Sequence, residues 1–365
     1  MNLNSVSIEN FRNLASVQLQ FQPGLNILHG ANAQGKTSIL EALYLLGHLK
    51  SFRAARNEEL IRLGQNRSRI SARLSHQGCD RTLALEIAAE GKKPTLDGKE
   101  ARSAEAFFGW LRPILFSPEE IGLIKGAPAG RRALVDRAIF QSDPSFLERS
   151  QGYARMLKQR NCLLRAGAGR NALEPWTDAL IASGARLRQD RRNYLRRLSP
   201  RLGQIYREIC ADQETASLAW SEETADLAAE EQRLRRDLCN SREGEERLGQ
   251  TLVGPHRDEP LFLVDGRALK TYGSQGQQRS FILAFKTAQL LDLEDFIGAP
   301  AVFLLDDMTS ELDRHRQGYF FRFLLARKGQ IILTTTDIQP LLEEGLTPAC
   351  LYRVEGGQVR EEHLE

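Results

Sequence analysis

An α/β fold is predicted for this chain: a core divided between the two ends of the sequence, a small antiparallel β subdomain beside it, and a helical arm inserted in the middle. Three observations predict it. Gly30 to Thr37, GANAQGKT, follows an apolar run (Leu25, Ile27, Leu28) and precedes Ile39, Leu40, Leu43 and Leu46 at helical spacing, which is the order strand, loop, helix. AVFLLDD (Ala301 to Asp307) and KGQIILTTT (Lys328 to Thr336) are continuous apolar runs, as buried parallel strands are. From about Gly126 strands give way to a long region rich in Arg, Leu, Ala and Glu and poor in β-branched residues. The divisions read as 1–125 for the N-terminal part of the core, 126–245 for the arm and 246–365 for the C-terminal part.

Taken in order, Val6 and Ile8, then Val17, Leu19 and Phe21, alternate as strands, with FRNL as the turn between them. After the loop and its helix, Lys50, Arg53, Arg56, Arg62, Arg67 and Arg69 outnumber the acids Glu58 and Glu59. Ile70, Ala72, Leu74 and then Leu83, Leu85, Ile87 alternate again, and Asp97-Gly98 marks a tight hairpin. ILFSPEE (Ile114 to Glu120) reads as a short strand running into a loop. Helices are expected at about 129–141, 144–166, 174–209 and 223–240. Leu195, Leu198, Leu202, Ile205 and Ile209 form a helix-packing seam, which Pro200 should kink or break. Seven arginines, including Arg191 and Arg192, share that segment, and they suit either a solvated face or contact with DNA. Strands return at TLVGPHRDE and LFLVDGRAL, where Asp265-Gly266 is a hairpin turn. GSQGQQRS then leads into a helix, and Leu351 to Val354 begins a hairpin turning at Gly356-Gly357.

At 365 residues the chain can bury a large core, and 50 Lys+Arg against 47 Asp+Glu leave +3, so any basic surface must be local. Five scattered cysteines without a C-x-x-C pair suggest neither a disulfide framework nor a zinc site, and they read as buried thiols in a reducing cytosol. MNLNSVSIENFRNL lacks a signal-peptide core and no run approaches the ~20 apolar residues of a membrane span, so a cytoplasmic protein is expected.

GANAQGKT fits the G-x-x-x-x-G-K-[ST] pattern of a phosphate-binding loop, comprising Gly30, Ala31, Asn32, Ala33, Gln34, Gly35, Lys36 and Thr37. Gly30 and Gly35 let successive N–H groups turn inward around phosphate oxygens at a helix N-terminus. Lys36 would reach the β/γ-phosphates of ATP and Thr37 would offer its hydroxyl to Mg²⁺. Asp306 closes an apolar strand, where it would hold Mg²⁺ through water, and Asp307 is placed to orient or deprotonate an attacking water. Asp307 and Lys36 are therefore the catalytic candidates.

Ser274-Gln275-Gly276-Gln277, at the start of a helix ahead of Asp306, resembles the signature motif of ABC-type ATPases. That resemblance implies a head-to-tail homodimer, in which Ser274, Gly276 and Gln277 of one subunit cap the ATP held by another. Ser310 to Asp313 resembles the D-loop that crosses such an interface, bringing Asp313 near the nucleotide. Two departures stand out. Thr334-Thr335-Thr336-Asp337 replaces the switch histidine, so hydrolysis is slow or γ-phosphate sensing falls to a threonine, and the Q-loop neighbourhood reads FSPEE.

Along nearly the whole chain the residues resemble the RecF family of bacterial recombinational repair. The matching stretches are IENFRNL, the phosphate loop, FSPEEIGLIKGAPAGRRALVDRAI (Phe116 to Ile139), GPHRDE (Gly254 to Glu259), GSQGQQRS and FLLDDMTSELD (Phe303 to Asp313). The resemblance implies an ABC-type, SMC head-like ATPase core with a short helical arm, and a dimer that clamps DNA. It implies slow, DNA-stimulated hydrolysis serving as a switch, and action with RecR and RecO to direct RecA to gapped DNA and support the SOS response. By the same analogy Arg12 and Asn13 lie close to the nucleotide. If ATP closes two heads, Lys50, Arg53, Arg56, Arg67 and Arg69 with Arg191 and Arg192 would frame a positive groove reading DNA through its backbone. A transporter-type ATPase subunit and a small-molecule kinase are the competing readings.

Overall fold

The computed structural model describes residues 2–54, 56–76, 78–101, 107–220, 224, 226–307, 314–327 and 329–363. The chain opens with β1 (Asn2–Phe11), β2 (Leu14–Gln20), β3 (Leu25–His29) and α1 (Lys36–His48), then β4 (Arg67–His76), β5 (Cys79–Ala88), β6 (Gly91–Leu96), β7 (Lys99–Glu100) and β8 (Pro113–Phe116). Helices follow as α2 (Pro118–Lys125), α3 (Pro128–Ser142), α4 (Phe146–Arg165) and α5 (Arg170–Ile209). Next come β9 (Ala216–Trp220), α6 (Leu227–Leu248), β10 (Pro260–Val264), β11 (Arg267–Ala268), the short α7 (Leu269–Tyr272) and α8 (Gln275–Ile297). The chain continues through β12 (Val302–Asp306), α9 (Arg314–Leu325), β13 (Ile331–Thr335), α10 (Gln339–Glu343), β14 (Cys350–Glu355) and β15 (Gln358–Glu362).

Two compact units result. The first comprises Met1–Ile121, Glu208–Cys210 and Ile282–Glu365, and the second Gly122–Arg207 and Ala211–Phe281. In the first unit one sheet runs β15-β14-β3-β13-β12-β8, with β14, β3, β13, β12 and β8 parallel, and so joins strands from both ends of the sequence. The other sheet, β2-β1-β4-β5-β6-β7, is antiparallel throughout. Helix α1 packs against strands of both sheets, which is why nearly all its residues are buried and its apolar residues surround it rather than forming one stripe.

The second unit holds α3 to α6 and a three-stranded sheet, β11-β10-β9. The leucine and isoleucine seam of α5 is buried at every expected position. Of the kink or break expected at Pro200, the break does not occur, and the helix continues through Pro175 and Pro200. Leu198 and Leu202, buried on either side of Pro200, hold the helix across the lost backbone bond. TLVGPHRDE is not a strand but an irregular loop before β10, because Pro255 has no N–H to give a ladder and its side chains are committed to ion pairs. FSPEE likewise does not end in a loop, since Pro118 opens α2.

The two-residue hairpins fall where expected, with Asp97-Gly98, Asp265-Gly266 and Gly356-Gly357 all at positive φ. The cysteines are free, as expected, but Cys79, Cys162 and Cys239 are exposed rather than buried, one at a hairpin and two on outer helix faces. Among the described residues no helix is long and apolar enough to cross a membrane.

Candidate nucleotide site and signature turn

The phosphate loop joins the C-terminal end of β3 to α1, and its conformation depends on its neighbours in the sheets. Gly30 has φ +147, and a Cβ there would stand 2.3 Å from the Val354 carbonyl oxygen of β14. Gly35 has φ +115, and a Cβ there would meet Leu14 Cδ2 at 2.8 Å and Asn13 Nδ2 at 3.1 Å. No other residue type fits either place without displacing backbone or buried side chain. The β14–β15 turn also grips the loop from outside: Gly357 N–H donates to the Gln34 carbonyl (3.0 Å) and Gly356 N–H to Gln34 Oε1 (2.6 Å). No side chain caps α1, whose N-cap is Gly35, so the first-turn N–H groups are left to an anion.

Lys36 is buried, and its Nζ donates to the carbonyls of Gly30 (2.7 Å) and Ala31 (2.8 Å). Burial pushes its ammonium below the ordinary lysine value, while Asp307 and Asp306 pull the other way. The next residue, Thr37, donates its hydroxyl to Asp306 Oδ1 at 2.9 Å, joining the loop to the end of β12. The same oxygen accepts from Thr334 Oγ1 at 2.7 Å, and Thr334 Oγ1 in turn accepts from Asp307 N–H at 3.1 Å. Thr334 thus lies beside Asp306 in the β12–β13 register, is fully buried, and fixes both acids. Burial raises the Asp306 carboxyl above its ordinary value against the lowering by the hydrogen bonds from Thr334 and Thr37. Asp307 adopts φ +46, an uncommon left-handed conformation outside glycine.

Arg12 also has positive φ, at the two-residue turn between β1 and β2. Its guanidinium makes a two-toothed pair with Glu41 of α1, at 2.9 and 2.8 Å, and the Glu41 side chain is wholly buried. Asn13 Oδ1 accepts from Ser38 Oγ at 2.9 Å. Both residues line an open cleft of about 1050 Å³ with Asn32 to Ser38, Asp306 and Asp307. Sequence reasoning overlooked Glu41; its signal was an acid inside an otherwise apolar helix.

At the signature, Ser274 and Gln277 form a reciprocal cap on α8. Ser274 N–H donates to Gln277 Oε1 (2.9 Å), and Gln277 N–H donates to Ser274 Oγ (3.1 Å). Ser274 is exposed and Gly276 lies in the first turn. Asp313 and the rest of Ser310 to Asp313 lie outside the described residues.

The expected DNA contacts separate into groups. Lys50 is exposed, Arg56 pairs with Glu59, and Arg53 lines the nucleotide cleft. Arg67 and Arg69 project from alternate positions on the solvent face of β4, and the row continues to Arg73, which sequence reasoning missed. Arg67 shares that face with its partner Glu86 on β5.

Arg191 and Arg192 correct the expectation. Arg191 is bound at 2.7 Å to both carboxylate oxygens of Asp136 and to the Pro255 carbonyl, and Arg192 is bound to Glu230 and Thr224. Both are buried, and neither presents its charge to a polyanion.

A profile of the RecF/RecN/SMC N terminal domain matches residues 2–358. The chain is 48% identical over 359 residues to the DNA replication and repair protein RecF of Syntrophotalea carbinolica, covering 98% of this chain and 99% of that one. To RecF of Geobacter sulfurreducens it is 43% identical over 367 residues, with the same coverage. A solved structure described as the recombination mediator protein RecF with ATP, in the RecFOR pathway, superposes with a TM-score of 0.89 at 29% identity, covering 99% of each chain. An Smc head domain with an extended coiled coil from Pyrococcus furiosus has a TM-score of 0.58 at 15% identity over 100% of this chain and 96% of that one, and shares the fold. The expected SMC head-like ATPase core is therefore the fold observed, and the chain belongs to the RecF family of DNA replication and repair proteins.

Proposed function

We propose that this chain is an ATP-gated DNA-binding protein of recombinational repair, in which ATP closes two copies head to tail and slow hydrolysis releases them. The observation that supports it most is one chain carrying both a phosphate loop wired through Thr37 to Asp306 and an exposed, capped serine at the start of α8. A site for one nucleotide alone has no use for the second feature. Nucleotide binding asks Lys36 to exchange its two carbonyl acceptors for phosphate oxygens, which its mobile stem and neutral partners allow. Thr37 and Asp306 offer hard oxygen donors at one locus, which suits Mg²⁺, leaving its other positions to phosphate and water. When bound, that ion neutralises charge on the phosphates. Asp307, held by Thr334, is the group to orient or deprotonate the attacking water, and the absence of a histidine at Thr334 suits a slow switch.

On the DNA side, Arg67, Arg69 and Arg73 supply a phosphate-binding row on β4, with Lys50 as a further cation. By likeness to RecF of the RecFOR pathway, the partners proposed are RecR, with RecO and RecA acting through it, and the setting is the cytoplasm. Family membership leaves the transporter and kinase readings without support. Gel filtration with a non-hydrolysable ATP analogue tests the proposal. A shift from monomer to dimer that Lys36→Met abolishes is expected, and a wild-type chain that stays monomeric overturns the sandwich.

A further inference from the structure

The signature turn is not held by its own cap alone. Gln277, whose Oε1 already accepts from Ser274 N–H, donates its Nε2 to Glu214 Oε1 at 2.8 Å. The other oxygen of Glu214 accepts from the phenol of Tyr206 at 2.8 Å. Tyr206 is fully buried near the C-terminal end of α5, the helix of 40 residues. Its ring also meets the Phe281 ring of α8 edge to face, with centroids 6.4 Å apart, and Phe281 stacks on Phe262 of β10 at 5.2 Å. An unbroken chain of contacts therefore runs from α5 through Tyr206, Glu214 and Gln277 to Ser274.

The backbone around Glu214 is set to keep it there. Ala211 and Asp212 both adopt left-handed φ, +51 and +59, which turns the chain sharply after α5. Thr215 is then fixed by Asp265, whose Oδ1 accepts from Thr215 N–H (2.8 Å) and Thr215 Oγ1 (3.0 Å). Two consecutive non-glycine residues in that conformation persist only where their surroundings impose it. The strain and the clamp together deliver one carboxylate between α5 and the signature turn. A carboxylate that accepts from both sides makes charge-assisted bonds, stronger than those between neutral groups.

We infer that Glu214 is a positioning residue for the signature serine, acting through Gln277, and that Tyr206 ties its setting to α5. Gln277 has two tasks that compete for one rotamer: its oxygen caps Ser274 and its amide needs an acceptor. Glu214 supplies that acceptor and so selects the rotamer in which the cap forms. Without it the Gln277 amide turns to water, the cap loosens, and Ser274 no longer meets a phosphate in one fixed geometry. The consequence is specific to closure of two copies, because the phosphate loop of the same copy does not use Ser274 in the proposed sandwich, on which this inference rests.

The test compares Glu214→Ala, Glu214→Gln and Tyr206→Phe with the wild type in two measurements. One is the concentration of a non-hydrolysable ATP analogue that half-saturates dimerisation, by sedimentation velocity. The other is binding of a fluorescent ATP analogue at protein concentrations too low for dimers. Glu214→Ala is expected to raise the dimerisation midpoint about tenfold, the effect of losing one charge-assisted hydrogen bond, and to leave monomer binding unchanged. Glu214→Gln, which keeps an acceptor oxygen in the same volume, should recover most of the loss, and Tyr206→Phe should give a smaller shift than Glu214→Ala.

A general packing defect would not respect that split or that rescue. Should Glu214→Ala not fold, Tyr206→Phe decides: at the wild-type midpoint the inference fails. Equal midpoints for all chains overturn it while leaving the sandwich intact, whereas a wild type that never dimerises overturns both.

Discussion

The nucleotide cleft and the interior of the helical unit both gather charge, and they hold it in opposite ways. In the cleft Lys36 rests on two neutral carbonyls, and Asp306 on two hydroxyls, partners that a phosphate or a cation can replace at little cost. In the helical unit, by contrast, arginines face carboxylates: Arg188 takes both oxygens of Asp258 and one of Glu230, Arg192 takes the other oxygen of Glu230, and Arg160 meets the buried Glu245. Such pairs offset a desolvation cost that neither partner could bear alone. A ligand site needs charges that can change partners, and a scaffold needs charges that cannot.

The largest expected effect is on the scaffold. Glu230→Ala leaves Arg188 and Arg192 without their shared acid and should destabilise the chain by about 3–5 kcal/mol, read as a lower urea midpoint with unchanged slope. A loss below ~1 kcal/mol would mean that these pairs do not lock the unit. Next comes Lys36→Met in the cleft, which should weaken ATP binding about 100-fold while moving the urea midpoint little. Titration calorimetry checks the first and the denaturation curve the second, and comparable losses in both would erase the contrast.

Acid separates the regions by sign. Burial by itself would raise the Glu230 carboxyl, but hydrogen bonds from Arg192, Thr224 and Arg188 carry it below its ordinary value of 4.5. Its contribution to stability is therefore present above that value and lost as pH falls through the depressed one. Burial raises Asp306 above 3.8, so folding favours its protonated form; its contribution is greatest at low pH and is lost as pH rises through the raised value. Mg²⁺, which needs the ionised carboxylate, should in turn leave as pH falls through that raised value. Thr334→Val removes a hydrogen bond that lowers this pKa and should move the loss of Mg²⁺-dependent ATP binding to higher pH, with about tenfold weaker binding at the acid edge. An unchanged pH profile would take Thr334 out of the site.

The smallest effect is at the surface. Arg69→Ala or Arg73→Ala should each lower the slope of log affinity for DNA against log salt by about 0.9 at nearly constant stability. A slope insensitive to both would move the DNA contact off β4.

Much of the cleft was legible because its requirements are local. Gly30, Lys36 and Thr37 lie within one loop, and the apolar runs that became β12 and β13 carry their acids and threonines at their ends. What stayed hidden depends on partners far along the chain. Arg191 and Arg192 read as a basic cluster since their acids, Asp136 and Glu230, are 55 and 38 residues away, and composition does not say which arginine faces which acid. Arg73 escaped for the opposite reason: alternation in β4 marked Ile70, Ala72 and Leu74 as the inward face, and the outward residues beyond Arg69 received no attention. TLVGPHRDE has strand-like letters, but a loop whose carboxylates anchor Arg131 and Arg188 gains more from those pairs than from a ladder.

The grip of Gly356 on Gln34 joins residues 322 apart. Residue 34 leaves the ribosome long before residue 356, and so do both phosphate-loop glycines and the whole helical unit. The wall that shapes Gly30 and the turn that pins Gln34 are made only after the helical unit. A nascent chain thus carries an unfinished nucleotide loop while the 322 positions from Gln34 to Gly356 are made.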